Sequence, residues 1–360
     1  MKRLIPALLA LCLLLCACTS KVPAGTTAPA ATKPTSATTP SSEPSTDPSN
    51  DPTDPPVLYR HPLNGRPLDE PFTGRLAAFS INNANHAMPQ HSVSQADVLY
   101  EICVEGGVTR CLAIFSQLSD VDRIGSIRSA RTYFISLSMA YNAVLVHSGM
   151  STFAGNMFAT TGWEHVNADP TAFFRDAERK AAGYIHEDTH FTTGELILDC
   201  LEKNFNMTAS ENAYYGFDFV DEQTLNGESA KKIQVNFGPS GYVKTTNLTY
   251  NPDTNTYAAY QHGQDYIDGN NEEVLHFTNV LVLQAVRTHT GASSGNVYHQ
   301  LTGENTGYYA CGGEIVPIKW SRAAERDNFT YTLEDGTPLT MLPGTTYIGV
   351  VPATSPVDYE

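Results

Sequence analysis

The sequence predicts a mixed α and β protein: a layered α/β first domain, residues 57–208, followed by a smaller strand-rich second domain, residues 209–360. Three observations lead to this fold class. In the first segment, apolar runs of strand length alternate with helical spacings, which is the order of a layered α/β domain. Beyond residue 210 the runs are short, aromatic and β-branched, and turn-forming residues separate them. About 300 residues follow the first 56, which is enough for two domains.

Residues 1–18 have the features of a lipoprotein signal peptide. Lys2 and Arg3 precede a mostly apolar run that ends in Leu15-Cys16-Ala17-Cys18. The run is shorter than the roughly 20 residues of a membrane-spanning helix. We predict lipidation at Cys18, which follows a small residue, rather than at Cys16, which follows a leucine. Two acyl chains there would anchor the mature chain to the outer face of the cytoplasmic membrane.

Residues 19–56 are almost entirely Thr, Ser, Pro, Ala and Asp, and no large apolar residue follows Val22. Such a composition cannot form a core, so we predict a disordered tether. It would average roughly 35 Å end to end if flexible and reach about 120 Å if extended. A tether of this kind is typical of surface lipoproteins of single-membrane bacteria, and we therefore expect a Gram-positive source.

Charge and cysteine content limit the partners and cofactors. The net charge of −16 argues against nucleic acid or an anionic lipid surface as the main partner. After Cys18, the cysteines at 103, 111, 200 and 311 show no CxxC spacing and are too few for a disulfide-built scaffold. The sequence therefore predicts no metal and no cofactor, and cores held by apolar burial.

The elements of the first segment follow from its hydrophobic periodicity. Residues 76–81 and 108–115 are predicted strands. Residues 129–141 are predicted to form an amphipathic helix, and 143–146 a short buried strand. A capping box at 192–195 begins a helix that continues to about residue 205.

The second segment has six predicted strands. Each is a short aromatic or β-branched run, and Asn251-Pro252-Asp253 is a turn between two of them. The strands are 232–237, 244–250, 256–260, 279–286, 329–333 and 346–351.

Residues 100–110 form a predicted hairpin that turns at Gly106 and Gly107. A three-residue turn, 106–108, would place Cys103 directly opposite Cys111 and permit a disulfide. A two-residue turn would place Cys103 opposite Arg110 instead. The sequence leaves both registers open.

Arginines at a predicted helix start are the main functional signal. Arg128 and Arg131 fall in the first turn of the helix 129–141, where the exposed amide hydrogens are already positive, so the pair needs an anion. The anion is either a bound phosphate or carboxylate ligand, or the protein's own Glu101 and Glu105. Arg110, Arg175 and Arg179 could add positive charge to the same site, although the sequence does not place them together.

Two histidine patterns have other interpretations. His186-Glu187-Asp188-Thr189-His190 matches the HExxH pattern of zinc proteases, but its weak helix formers place it in a loop, where the pattern cannot bind zinc. His147 ends a buried strand, a position where sites often open, and a structural hydrogen-bonded histidine is the alternative. Ser148 and Ser151 are nearby, yet no G-x-S-x-G elbow surrounds them.

Short motifs in both segments match one family pattern. The two longest are Glu-Gly-Gly-Val-Thr-Arg at 105–110 and Ile-Gly-Ser-Ile-Arg-Ser-Ala-Arg at 124–131. The others lie at 62–65, 81–83, 89–90, 95–101, 174–176, 279–282, 318–320 and 343–348. With these motifs, residues 61–354 resemble the YerB-type lipoproteins, a two-part domain-of-unknown-function family of Gram-positive bacteria.

The resemblance implies lipid anchoring and a two-domain layout, and it supplies no established activity. The chain departs from the family pattern after the strand-end histidine, where Ser148-Gly149-Met150 replaces a glycine pair. A family histidine before the last helix corresponds to either His186 or His190.

The sequence as a whole predicts a cell-surface lipoprotein whose first domain binds an anionic ligand of the envelope through Arg110, Arg128, Arg131 and Arg175. No catalysis is assigned. The alternative is an envelope enzyme that acts on a phosphate or glycan linkage, in which the arginines stabilise charge and Glu101, Glu105 or His147 is the acid or base.

Overall fold

The structure is a computed structural model that describes residues 59–209, 213–238, 244–291 and 295–360. Most of its regular secondary structure is β-strand. The predicted signal peptide, the predicted tether and Cys18 lie outside the described residues. The part of the chain that is described contains no helix long and apolar enough to cross a bilayer. Mixed α and β structure is confirmed.

The first segment supplies ten strands and four α-helices within its described residues. The strands are β1 (Tyr59–Arg60), β2 (Pro67–Leu68), β3 (Ala77–Asn82), β4 (Val98–Cys103), β5 (Thr109–Phe115), β6 (Arg123–Gly125), β7 (Val144–His147), β8 (His165–Asn167), β9 (Phe174–Arg175) and β10 (His190–Thr193). The helices are α1 (Thr132–Ala140), α2 (Thr152–Thr161), α3 (Ala177–Ala181) and α4 (Gly194–Asn204). Short 3₁₀ turns occupy Asn85–Ala87, Val93–Gln95, Glu105–Gly107 and His186–Thr189.

The second segment supplies sixteen strands within its described residues, and no α-helix. They are β11 (Asp218–Phe219), β12 (Glu228–Ser229), β13 (Lys232–Asn236), β14 (Thr245–Asn251), β15 (Thr256–Gln261), β16 (Gln264–Asp265), β17 (His276–Phe277), β18 (Asn279–Ala285), β19 (Arg287–His289), β20 (Val297–His299), β21 (Gly303–Cys311), β22 (Glu314–Arg322), β23 (Thr330–Leu333), β24 (Thr340–Met341), β25 (Thr346–Pro352) and β26 (Val357–Tyr359). All six predicted strands are present.

One eleven-stranded sheet runs through both segments. Its order is β12-β22-β21-β18-β25-β4-β5-β3-β7-β8, and β23 pairs with β22. Strand β25, from the end of the second segment, lies between β18 and β4 and is parallel to both. The sheet is therefore continuous across the predicted boundary at residue 208, and contacts place residues 56–360 in one compact unit.

The sheet is covered on both faces. On one face, the buried side chains of Leu112 and Ile114 share a core cluster with Phe134 and Leu137 of α1. On the other face, a six-stranded sheet of β13–β17 and β26 contributes buried residues such as Leu248. The alternation of side chains along each strand decides which core a residue joins.

The start of α1 corrects the prediction for 129–141. The helix begins at Thr132, and Arg131 is its N-cap residue. The segment before it is extended, because the N–H of Arg128 donates to the Ser80 carbonyl at 2.7 Å and the N–H of Ala130 donates to the Gly149 carbonyl at 3.0 Å. Placing Arg128 in the first helical turn was therefore wrong. Helix α4 begins at Gly194, close to its predicted start, and Thr193 is its cap.

The hairpin of β4 and β5 has neither predicted turn. Cys103 faces Thr109, Ile102 faces Arg110 and Glu101 faces Cys111. The turn consists of residues 105–107, one position earlier than the predicted three-residue turn, because the Val104 N–H donates to the Val108 carbonyl at 2.8 Å. A bridge between Cys103 and Cys111 is absent, and both are buried free thiols.

Candidate functional site

Several of the predicted site residues meet at one edge of the eleven-stranded central sheet, the edge formed by the ends of its strands. Strands β3, β7 and β8 are parallel, so their carboxyl ends lie together, and β5 begins at the same edge because it is antiparallel to β3. This brings Arg110 and His147 to one edge. The extended segment before α1 crosses that edge, where the Ser148 N–H donates to the Arg128 carbonyl at 3.0 Å. Ligands of sheets with parallel strands commonly bind beyond the carboxyl ends of the strands.

Arg110 is a buried cation without a carboxylate partner. Its side chain lies beneath the segment before α1, and Nη1 donates to the Ser129 carbonyl at 2.8 Å. Among the described residues, no carboxylate oxygen lies within 4.0 Å of its guanidinium. Burial, together with the nearby charges of Arg131 and Arg128, lowers the pKa of Arg110 to about 9. The site therefore holds a positive charge that the protein does not neutralise by direct contact.

Arg131 is neutralised by Glu105. Its Nε and Nη2 donate to the two carboxylate oxygens of Glu105, each at 2.8 Å. Burial acts to raise the pKa of Glu105, but the hydrogen bonds and charge of Arg131 hold it below its usual value. Glu105, one of the two internal carboxylates considered, is therefore the partner of Arg131.

Arg128 is only partly neutralised. Its Nη1 is 3.5 Å from Asp188 Oδ1, and this buried nitrogen makes no hydrogen bond to any described residue. Asp188 is fully buried and shared: Asn82 Nδ2 donates to Oδ1 at 2.7 Å, and His86 Nδ1 is 2.5 Å from Oδ2. Burial lowers the pKa of Arg128, although the charge of Asp188 opposes this.

The other two arginines have separate roles. Arg175 is exposed on β9 opposite His190, and its Nη1 donates to the His186 carbonyl at 2.7 Å. Arg179 is buried and donates to the Ala87 carbonyl at 2.9 Å. Arg175 thus holds the turn at His186, whereas Arg179 fixes loops.

Glu101 lies on the opposite face of the sheet from the arginines. It faces Cys111 across the hairpin, and Arg110 is the next residue on the same strand, so their side chains point to opposite faces. The expectation that Glu101 would neutralise Arg128 or Arg131 is wrong for this reason.

Glu101 is instead the centre of a fully buried polar network. Oε1 accepts from Asn83 Nδ2 at 2.9 Å, from Thr109 Oγ1 at 2.6 Å and from Lys244 Nζ. Oε2 accepts from the hydroxyls of Thr246 at 2.7 Å and Tyr347 at 2.8 Å. Burial acts to raise the pKa of Glu101, but Lys244 and the hydroxyl donors hold it below its usual value.

His147 is also fully engaged. It is buried, its Nδ1 donates to the Gly149 carbonyl at 2.7 Å, and its Nε2 is 2.9 Å from His165 Nδ1. Burial lowers the pKa of His147 to about 4. Together with the partners of Glu101 and Glu105, these contacts leave none of the three proposed acids or bases free to act at Arg110.

The HExxH match has no metal-binding geometry. His186 lies in a 3₁₀ turn and His190 on β10, so the two are not one α-helical turn apart. Across the described ranges, no three His, Cys, Asp or Glu side chains cluster as a metal site would require. The loop interpretation is therefore the better description.

Ser148 has a base but no free oxyanion donors. Its Oγ is 2.6 Å from His190 Nδ1. Its own N–H donates to the Arg128 carbonyl at 3.0 Å, and the next N–H, of Gly149, donates to Asn167 Oδ1 at 2.8 Å. Because these amides are already used, the contact does not form the site of a serine hydrolase.

Sequence reasoning missed Asp188 and Lys244, the carboxylate and cation that decide two of these pairings. Asp188 was part of the segment interpreted as a polar loop, and Lys244 lies 143 positions from Glu101. The only signal for Lys244 in the sequence was its position as a charged residue beside a β-branched run.

Comparison with known proteins places the chain in a family. Residues 63–207 match the N-terminal domain, and residues 233–348 the C-terminal domain, of the DUF3048 family, described as a protein of unknown function. The chain belongs to this family. The predicted YerB-type resemblance is thus confirmed, and the two matches lie on either side of the predicted boundary at 208.

A relative and a solved structure agree with the assignment to DUF3048. The chain is 25% identical over 296 residues to YerB of Bacillus subtilis (strain 168), whose name proposes that it is a lipoprotein; the match covers 81% of this chain and 86% of YerB. A crystal structure of the Bacillus subtilis YerB protein has a TM-score of 0.71 and 24% identity, and covers 81% of this chain and 96% of the other. The structural likeness shows the shared fold.

Proposed function

We propose that this chain is a lipid-anchored protein of the bacterial envelope that binds an anionic ligand at the sheet edge carrying Arg110, within residues 57–208. One observation carries the proposal: the Arg110 guanidinium is buried without a carboxylate in contact. A buried charge is costly unless it is paired, so an anion bound from outside would relieve that cost.

The surrounding charges support the proposal. The three arginines of the corner, Arg110, Arg128 and Arg131, have two carboxylates in contact, Glu105 and Asp188. Glu187 also acts on Arg128 without contact, so Arg110 is the cation of the three that has no carboxylate against it. The planar guanidinium suits phosphate or carboxylate oxygens, which it can bind through two parallel hydrogen bonds. Arg175 would lie at the rim. No metal or cofactor is needed for this role, and we assign no catalysis.

Phosphate is the simplest probe of the site. With inorganic phosphate at 100 times its Kd, the wild-type free energy of unfolding should rise by about 2.7 kcal/mol. Arg110→Met should abolish this increase. Without phosphate it should be as stable as the wild type or more so, because an apolar side chain replaces an unpaired buried charge. Thermal unfolding with and without phosphate measures both effects.

The matched control is Arg66→Gln, which alters an exposed arginine outside this edge and should leave the effect of phosphate unchanged. Equal stabilisation of wild type and Arg110→Met, or no stabilisation of the wild type, would refute the anion site.

Lipid anchoring at Cys18 is the second part of the proposal. It is supported by Leu15-Cys16-Ala17-Cys18 and by the name of the Bacillus relative, and with a Gram-positive source it would place the protein on the outer face of the cytoplasmic membrane. Cys18→Ala should release the protein into the medium or leave it unprocessed. Fractionation with mass spectrometry of the N-terminus tests this, and Cys16→Ala is the matched control. Unchanged membrane association of a Cys18→Ala chain whose N-terminus still begins at position 18 would exclude the anchor.

A further inference from the structure

The second sheet has an open face crossed by a row of polar side chains. Its other face is buried against the central sheet through residues such as Leu248. In the row, Asp358 faces Gln234, Gln234 faces Asn247, Asn247 faces Tyr260, and Tyr260 faces Asp265. Directly paired residues lie on the same face, so the five side chains cross five strands in line. At the strand spacing of a sheet, the row spans roughly 19 Å.

A shallow trough lies beside this row. The neighbouring positions Thr249 and Ala258 face each other and have small side chains, which leaves a space of about 570 Å³ open to solvent. Lys232 and Glu360 border it and are paired with each other at 2.5 Å. The trough is therefore open to solvent and bounded by the side chain of Tyr260.

The side chains of the row match the chemistry of a sugar. Tyr260 is 40% exposed, and its ring can pack against the apolar face of a pyranose. Gln234 Nε2 donates to Asn247 Oδ1 at 3.2 Å, which aligns the two amides along the trough. Amides and carboxylates at regular spacing can exchange hydrogen bonds with successive hydroxyl groups.

The charge of the open face excludes some classes of polymer as partners. Asp265 and Asp358 form no ion pair with any described residue, and the one lysine bordering the trough is neutralised by Glu360. The face is therefore negative and would repel phosphate polymers, nucleic acids and anionic lipids. Its single exposed aromatic side chain gives too little apolar surface for a stable protein interface.

From this geometry we propose that the open face of the second sheet binds an uncharged polysaccharide strand. This site is separate from the anion site and does not depend on it, because the two have opposite charge and lie on different sheets. The tethered protein would then have two contacts with the envelope, one anionic and one neutral.

The test is isothermal titration calorimetry of the full chain, purified in detergent, with soluble N-acetylglucosamine oligomers. Tyr260→Ala should weaken binding about tenfold or more, and Gln234→Ala should weaken it too. Tyr298→Ala, which removes a tyrosine of similar exposure, 39%, outside the face, should bind like the wild type. Thermal unfolding of each variant verifies that it is folded.

Three results would overturn the proposal: no binding by the wild type, Tyr260→Ala binding as well as the wild type, or equal losses in Tyr260→Ala and Tyr298→Ala. Inorganic phosphate should not compete, and Arg110→Met should retain full oligomer binding. Failure of the anion site would thus leave this result unaffected.

Discussion

Glu101→Gln is expected to lower the free energy of unfolding by about 3–5 kcal/mol, the range for breaking a buried ion pair by removing one partner. The substitution preserves the shape of the side chain but leaves the ammonium of Lys244 buried without a counterion. It also replaces an acceptor-only group with one that donates, in a site where five donors converge on the carboxylate. Urea unfolding measures the change.

Two further variants make this prediction specific. Lys244→Met alone should destabilise the protein by a similar amount, because it leaves the carboxylate unpaired. The double variant with Glu101→Gln should lose less than the sum of the single losses, since no buried charge remains. Glu304→Gln, on an exposed position of β21, is the matched control and should be nearly neutral. A loss below about 1 kcal/mol for Glu101→Gln would contradict the importance of the network.

The protein is expected to lose stability steeply as the pH falls from 6.5 to about 4. Burial lowers the pKa of both His147 and His299 to about 4, so each is neutral in the folded protein throughout this window. In the unfolded chain these histidines become protonated below pH 6.5. The unfolded state then binds more protons, and the free energy of unfolding falls with pH. The stabilisation is complete above pH 6.5.

The size of this effect follows from the pKa change. A fall from 6.5 to about 4 corresponds to roughly 3 kcal/mol for each histidine. Urea unfolding at a series of pH values measures the slope. His299→Gln should make the slope of stability against pH shallower, independently of the effect of the substitution on stability at pH 7. His289→Gln changes an exposed histidine and should leave the slope unchanged. A wild-type stability that is constant from pH 6.5 to 4.5 would contradict the prediction.

The sequence predicted secondary-structure elements well where hydrophobic periodicity was strong. It failed where strand register or pairing with distant residues determines the structure. Alternating apolar residues placed β3 and β5 and all six expected strands of the second segment. The start of α1 was missed because hydrogen bonds to Ser80 and Gly149 hold the preceding residues extended. Those partners lie on other strands, and no local pattern indicates them.

The candidate site shows the same limit. The length of the β4–β5 turn could not be determined, and a change of one residue in register moves Glu101 from one face of the sheet to the other relative to Arg110. The pairing of Arg131 with Glu105 was one of two open alternatives. Asp188 was not anticipated, because nothing local indicates that this acidic residue is buried beneath Arg128.

For the lipid-anchored protein that we propose, the parallel pairing of β25 with β4 would determine when folding can finish during export. Tyr347 on β25 contacts Glu101 on β4 across 246 positions of the chain. A lipoprotein leaves the cytoplasm N-terminus first, so β4 arrives outside long before the strand that covers its edge. Until then that edge is unpaired and open to aggregation, and the carboxylate lacks both its lysine and its tyrosine. On the proposed export, the edge of β4 would be covered only after β25 had also crossed the membrane.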